Sequence, residues 1–264
     1  MPLSAAVRYL IPGAVAGVVS FAFSRVMIEP LIGAAVDYER ARQHVEAQSP
    51  GGEHERELFT RAVQENVGAT VGVVVFGIVM GVLFAVGYTT LRTVLDRRGF
   101  APHPAGLALL LSAGMFVAIA LMPTLKYPAN PPAVGLDDTV AERSSSLLTI
   151  AVTSVVAACL AVAAALTWSR RWGIWPAGAL AVGGYAAVML CTMAVMPGYD
   201  EVPGPLVGPD DLAIDGFPAD VLADFRLYSL VNQALMWLVI GVTSAWLAVL
   251  SRASAPDAVA VGRR

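Results

Sequence analysis

Lys126, the only lysine in the chain, opens a ten-residue run, Lys126-Tyr127-Pro128-Ala129-Asn130-Pro131-Pro132-Ala133-Val134-Gly135. A cation, a phenol and an amide are spaced along it. Each proline fixes its own φ and pushes its predecessor away from helix, so the run reads as a rigid loop holding those three groups at set intervals. Arg61, Arg143 and Arg226 each stand just before or at the opening of an apolar stretch, and Glu201 follows another. Arginines and a lysine repel a cation. Their expected work is to pair with Glu65, Glu142, Glu201 or Asp224 and order the loops of a mouth. Locking adjacent hairpins together is an equally good reading of the same residues.

The one grouping with metal-ligand character is His44 with Glu46, joined by His54 between Glu53 and Glu55. Imidazole and carboxylate suit divalent cobalt, nickel or zinc. The spacing matches no metal signature, and solvated side chains in a charged loop are the simpler account. Met189, Met193 and Met196 share one helical face with Cys191 nearby, but a buried apolar stripe explains soft sulfur there better than a ligand set does. Arg25 and Glu29 are four apart and predict a local ion pair. No carboxylate falls at the middle of an apolar stretch, so a proton relay is unsupported. A sole lysine outside any G-x-x-x-x-G-K-[ST] excludes a phosphate-binding loop and thus ATP hydrolysis by this chain. No H-E-x-x-H, C-x-x-C or G-x-S-x-G occurs, and the two cysteines, Cys159 and Cys191, lie in apolar stretches rather than in a disulfide framework.

The elements that must position these residues are six apolar stretches, about 9–32, 67–91, 105–122, 147–168, 175–196 and 227–250. A hydrocarbon core about 30 Å thick needs about 20 apolar helical residues, because lipid offers no partner to an unpaired amide or carbonyl. Each stretch meets that need. The expectation is an all-α membrane protein of six spans forming one integral membrane domain over residues 1–264, with the first stretch retained rather than cleaved as a signal peptide. With 57% apolar residues distributed along the whole chain, no separate soluble domain is expected.

Charge sets the orientation. Arg8, the loop 92–98, the turn at Arg170-Arg171 and the carboxyl-terminal tail hold nine basic and two acidic residues, a net of +7. The other side carries eight basic against eighteen acidic residues, a net of −10. Short cytoplasmic loops collect arginine, so both termini are expected in the cytoplasm. Trp168, Trp172 and Trp175 beside Arg170 and Arg171 fit an interfacial aromatic belt. The acidic outer face argues against nucleic acid and would concentrate cations.

The three hairpins share a plan. Odd-numbered spans close on methionine and proline (Met27 with Pro30, Met122-Pro123, Met196-Pro197), and arginines precede the even ones. Three tandem hairpins are a reasonable reading, as in transporters that gather parallel repeats around a path. The first outer loop should begin with a helical extension and turn at Pro50-Gly51-Gly52, while the second and third should be nonhelical for most of their length. Gly13 with Gly17, Gly68 with Gly72 and Gly77 with Gly81 put small residues four apart for close helix packing. Ser146, Thr149 and Thr153 form a polar stripe that weakly favours a route through the bundle. Back-bonding to their own helix is the plainer account of it.

The run 126–135 also resembles the signature of the CbtA family, the probable cobalt transporter subunits of bacteria. Arg61 with Val63-Gln64, Thr139 with Arg143, Glu201-Val202-Pro203, Phe217-Pro218-Ala219 and Phe225-Arg226 are similar to the family pattern, so the resemblance covers nearly the whole chain. Residues 43–57 are the least family-like part. The resemblance implies a permease subunit in the bacterial cytoplasmic membrane, with cobalt as cargo rather than cofactor and no catalytic site. It further implies a small single-span partner, CbtB, bearing the histidine cluster that this chain lacks. The rivals are a noncatalytic membrane scaffold and a membrane enzyme acting on a lipid or glycan.

Overall fold

A computed structural model describes residues 5–47, 69–208 and 213–253. Helix α1 (Ala5–Phe23) passes through a π-helical segment (Ser24–Ile28) into α2 (Glu29–Ala47). Then come α3 (Ala69–Arg97) and α4 (Pro104–Met115), a second π-helical segment (Phe116–Leu121) and α5 (Met122–Lys126). A single 3-10 turn (Asp137–Thr139) leads into α6 (Val140–Trp172), followed by α7 (Ile174–Val195) and α8 (Ala219–Ala253). Between α7 and α8, β1 (Leu206–Val207) pairs antiparallel with β2 (Ala213–Ile214), Leu206 opposite Ile214.

Among the described residues six helices are long and apolar enough to cross a bilayer: Tyr9–Ala47, Val71–Arg97, Pro104–Lys126, Val140–Trp172, Ile174–Val195 and Ala219–Ser251. The protein is a multi-pass, all-α membrane protein, as the hydropathy pattern predicts. Most helices outrun their apolar stretches. Lipid demands a helix, but Glu39, Arg40, Arg42 and Gln43 are adequate helix formers in water, so α2 continues to Ala47. The expected turn at Pro50 lies outside the described residues. The loops after α5 and α7 are nonhelical for most of their length, as their prolines require.

Methionine and proline end only the fifth span, where Met196 turns extended (ψ 146°) ahead of Pro197. The helix runs on through Pro30 and Pro123. Proline removes an amide and its ring presses on the preceding turn, and a widened π turn just upstream makes room for that ring. Ile28 and Leu121, which end the two π-helical segments, each lie two residues before the proline.

The chain falls into two compact units. The first takes residues 1–23, 59–116 and 232–264. Within it α1 and α3 meet backbone to backbone. A Cβ added at Gly13, Gly17, Gly77 or Gly81 would lie 2.5–2.9 Å from main-chain atoms of the facing helix, which no side chain tolerates. Gly72 differs from the expectation, since nothing lies within 4 Å of an added Cβ there, and Gly68 lies outside the described residues. The Ser112 hydroxyl donates to the Trp237 carbonyl and ties α4 to α8, while Trp237 and Ile240 are fully buried. The second unit takes residues 24–58 and 117–231. In it α6 and α7 form a hairpin turned by Gly173 (φ 85°), with Ser154 and Tyr185 hydroxyls 2.7 Å apart. Ala35, Val134, Phe217 and Leu222 make a small core beneath the loops, with Tyr38 set edge-on to Phe217.

Candidate functional site

The proline-rich run and the loop after α7 are bound together in the second unit. Tyr127 closes α5 by donating its amide to the Pro123 carbonyl (2.8 Å), and the chain then turns through two left-handed residues, Ala133 (φ 66°) and Gly135 (φ 121°). That φ favours glycine, and the Arg143 guanidinium occupies the space a Cβ at Gly135 would need. Arg143 donates from Nη2 to the Leu136 carbonyl (2.9 Å) and sets Nε 3.3 Å from Glu201 Oε2. The same carboxylate oxygen accepts the Leu136 amide (2.9 Å), and the Glu201 carbonyl accepts the Gly135 amide (3.2 Å). Two stretches distant in sequence, 135–143 and the loop at Glu201, thus meet at one clasp. The Leu136 amide, followed by the Thr139 hydroxyl and the Arg143 charge, holds the Glu201 carboxyl below the usual carboxylate range.

A second tie links the run to α8. Arg226 donates from Nη2 to Asn130 Oδ1 at 2.8 Å, while its buried Nε meets no acceptor among the described residues. Lys126 sets Nζ 6.0 Å from the Tyr127 ring centre. The Tyr127 hydroxyl donates to the Pro197 carbonyl (2.8 Å), its ring lies 5.8 Å from that of Tyr199, and the Tyr199 and Ser146 hydroxyls are 3.0 Å apart. Burial raises the Tyr127 phenol above its ordinary value, which keeps it a neutral donor.

A third tie comes from the polar extension of α2. Tyr38 donates to the Asp215 carbonyl (3.3 Å), and Arg42 to the Gly204 carbonyl (2.9 Å). These residues escaped sequence reading. Their one signal is that they are four apart, on one face of a helix that outlasts the lipid.

Six of the seven residues read as ordering a mouth take part in these ties: Arg143 with Glu201, Asn130 with Arg226, and Lys126 beside Tyr127. Of the carboxylates offered as partners, Arg143 takes Glu201. Arg61, His54 and Glu65 lie outside the described residues. His44 sits on α2, and Glu46 pairs with Arg42 at 2.9 Å. Among the described residues no three His, Cys, Asp or Glu are grouped so as to hold a metal. Arg25 and Glu29 form the expected ion pair at 3.9 Å. Of the methionine stripe, Met189 is fully buried while Met193 and Met196 are half-buried. In the polar stripe on α6, Thr149 bonds back to the Ser145 carbonyl (2.7 Å), while the Ser146 hydroxyl faces that of Tyr199 in the loop after α7.

The guanidinium groups of Arg143 and Arg226 each donate to a protein oxygen, the Leu136 carbonyl and Asn130 Oδ1. A family model described as probable cobalt transporter subunit (CbtA) matches residues 5–249 of the chain. No curated protein and no solved structure matches it.

Proposed function

The chain belongs to the CbtA family, and from that premise we propose that it is the permease subunit through which a divalent transition cation, cobalt first among them, enters a bacterial cell across the cytoplasmic membrane. The observation that carries this reading is the extent of the family match, which takes in all six spans and the whole loop network. The subunit is not an enzyme and keeps no resident cofactor, the metal being cargo. Seven acidic residues between 197 and 224 raise the local cation concentration at the mouth. The loop network holds that mouth open in a fixed shape. Dehydrating a divalent ion takes several donors, and a small single-span partner bearing histidines supplies imidazole that the described residues of this chain do not group.

Cobalt and nickel accumulation in cells carrying the chain, alone and with such a partner, tests the proposal. Accumulation well above that of empty cells, reduced in Asn130→Ala, is the expected result. Accumulation equal to that of empty cells in both settings would remove transport.

A further inference from the structure

Helices α6 and α7 leave a groove of about 460 Å³ along their shared surface, walled by Val152, Leu160 and Trp168 of α6 and by Gly184, Tyr185 and Val188 of α7. Sites for single small molecules fall at about 300–1,000 Å³. Leu160 and Val188 are exposed, so the groove opens outward toward lipid. The Tyr185 hydroxyl is held 2.7 Å from that of the buried Ser154, which leaves the ring as its contribution to an apolar wall. On α6 the wall runs from Val152 to Trp168, a length of about 24 Å at about 1.5 Å per residue. Half of a hydrocarbon core is about 15 Å deep. A lipid chain entering at Trp168 therefore meets apolar wall along its whole depth.

The Trp168 end of the groove is basic. Arg171 stands three residues beyond Trp168 and so continues the groove's face of α6, with Arg170 next to it in the last turn of the helix. From 143 to 199 the chain has no acidic residue to offset these charges. Trp168 and Trp172, with ring centres 5.6 Å apart, mark the interfacial level at which a headgroup sits. The charge also selects the occupant. A spanning helix of a partner, or a second copy of this chain, would bring its own arginines and lysines to the same side, because the positive-inside bias acts on it too. Like charges would then face each other across the groove's end. A lipid phosphate brings the opposite charge, and an arginine fork matches its oxygens.

We infer that the groove between α6 and α7 seats one acyl chain of an anionic phospholipid, in the leaflet bordering the Arg170-Arg171 turn, with the lipid phosphate at Arg171. This goes beyond the transport reading and does not depend on the cargo.

The test titrates the full chain, delipidated in detergent, with phosphatidylglycerol and with phosphatidylcholine of the same acyl chains, and counts bound lipid by native mass spectrometry. Phosphatidylglycerol should fill one site at a concentration about tenfold or more below that needed for phosphatidylcholine. Replacing both arginines, Arg170→Gln with Arg171→Gln, should remove that preference, each arginine near a membrane surface counting for about fivefold. Gly184→Leu should abolish the site by filling the groove, and since an added Cβ there meets nothing within 4 Å, the variant is expected to fold. Gly183 has the same freedom but is not one of the walls, so Gly183→Leu should bind as the parent does. Equal affinity for the two lipids, or undiminished binding in Gly184→Leu, overturns the inference. So does a dimeric parent that becomes monomeric in Gly184→Leu while lipid binding persists, which would give the groove to a second copy.

Discussion

Glu201 accepts the Leu136 amide and faces Arg143, and its carboxyl titrates below the ordinary value of 4.5. A group depressed in the folded state contributes stability that is complete above its unfolded pKa and lost as pH falls through the folded one. Glu201→Gln should therefore lower the melting temperature at neutral pH. The gap to the parent should close on acidification below about pH 4, the ordinary carboxyl range. A gap that persists unchanged at low pH would assign the effect to packing. Gly135→Ala should cost more, about 1–3 kcal/mol from backbone strain with the displaced Arg143 in addition, read as loss of thermal stability at every pH. Much of this clasp is legible in the sequence. Arg143, Glu201, Asn130 and Arg226 stand out by charge and by position beside prolines, but which acid Arg143 takes is set by where the loops fold. Tyr38 and Tyr199 were illegible for the same reason: Tyr38 bonds a carbonyl 177 residues away, and nothing local marks it.

At the scale of elements, glycine spacing predicts close packing correctly for Gly13, Gly17, Gly77 and Gly81, and wrongly for Gly72. Periodicity says which residues share a face, while only the partner helix decides which of them is touched. Gly77→Leu should then abolish the yield of monodisperse protein, since overpacking against backbone has no side chain to move aside. Gly72→Leu should leave that yield within error of the parent. Size-exclusion profiles of the two variants check both statements. The same limit applies to helix ends. Hydropathy reports where lipid requires a helix, and the aqueous continuation of α2, which carries Tyr38 and Arg42 to the loops, leaves no hydropathy signal. Proline likewise marks a disturbance without saying whether the helix stops, as at Pro197, or widens and proceeds, as at Pro123.

For the molecule as a whole, the number of spans was readable because each is a long run of apolar residues, and burial in lipid does not depend on a partner. Two compact units, each assembled from separated parts of the chain, were not readable, because no local pattern records contacts between distant segments. The charge balance of +7 against −10 predicts sidedness. In a chain with Cys159 and Cys191 replaced by alanine, Val207→Cys should react with an impermeant thiol reagent added to intact cells. Arg98→Cys should react only after the membrane is opened, and the reverse pattern would invert the topology. The glycine contact between α1 and α3 bears on biogenesis as well. Those helices belong to the first two spans of this sequence, and their seam needs nothing synthesised later. A nascent polypeptide halted before α4 already contains a complete pair that can zip shut in the bilayer, giving the later spans a finished surface on which to assemble.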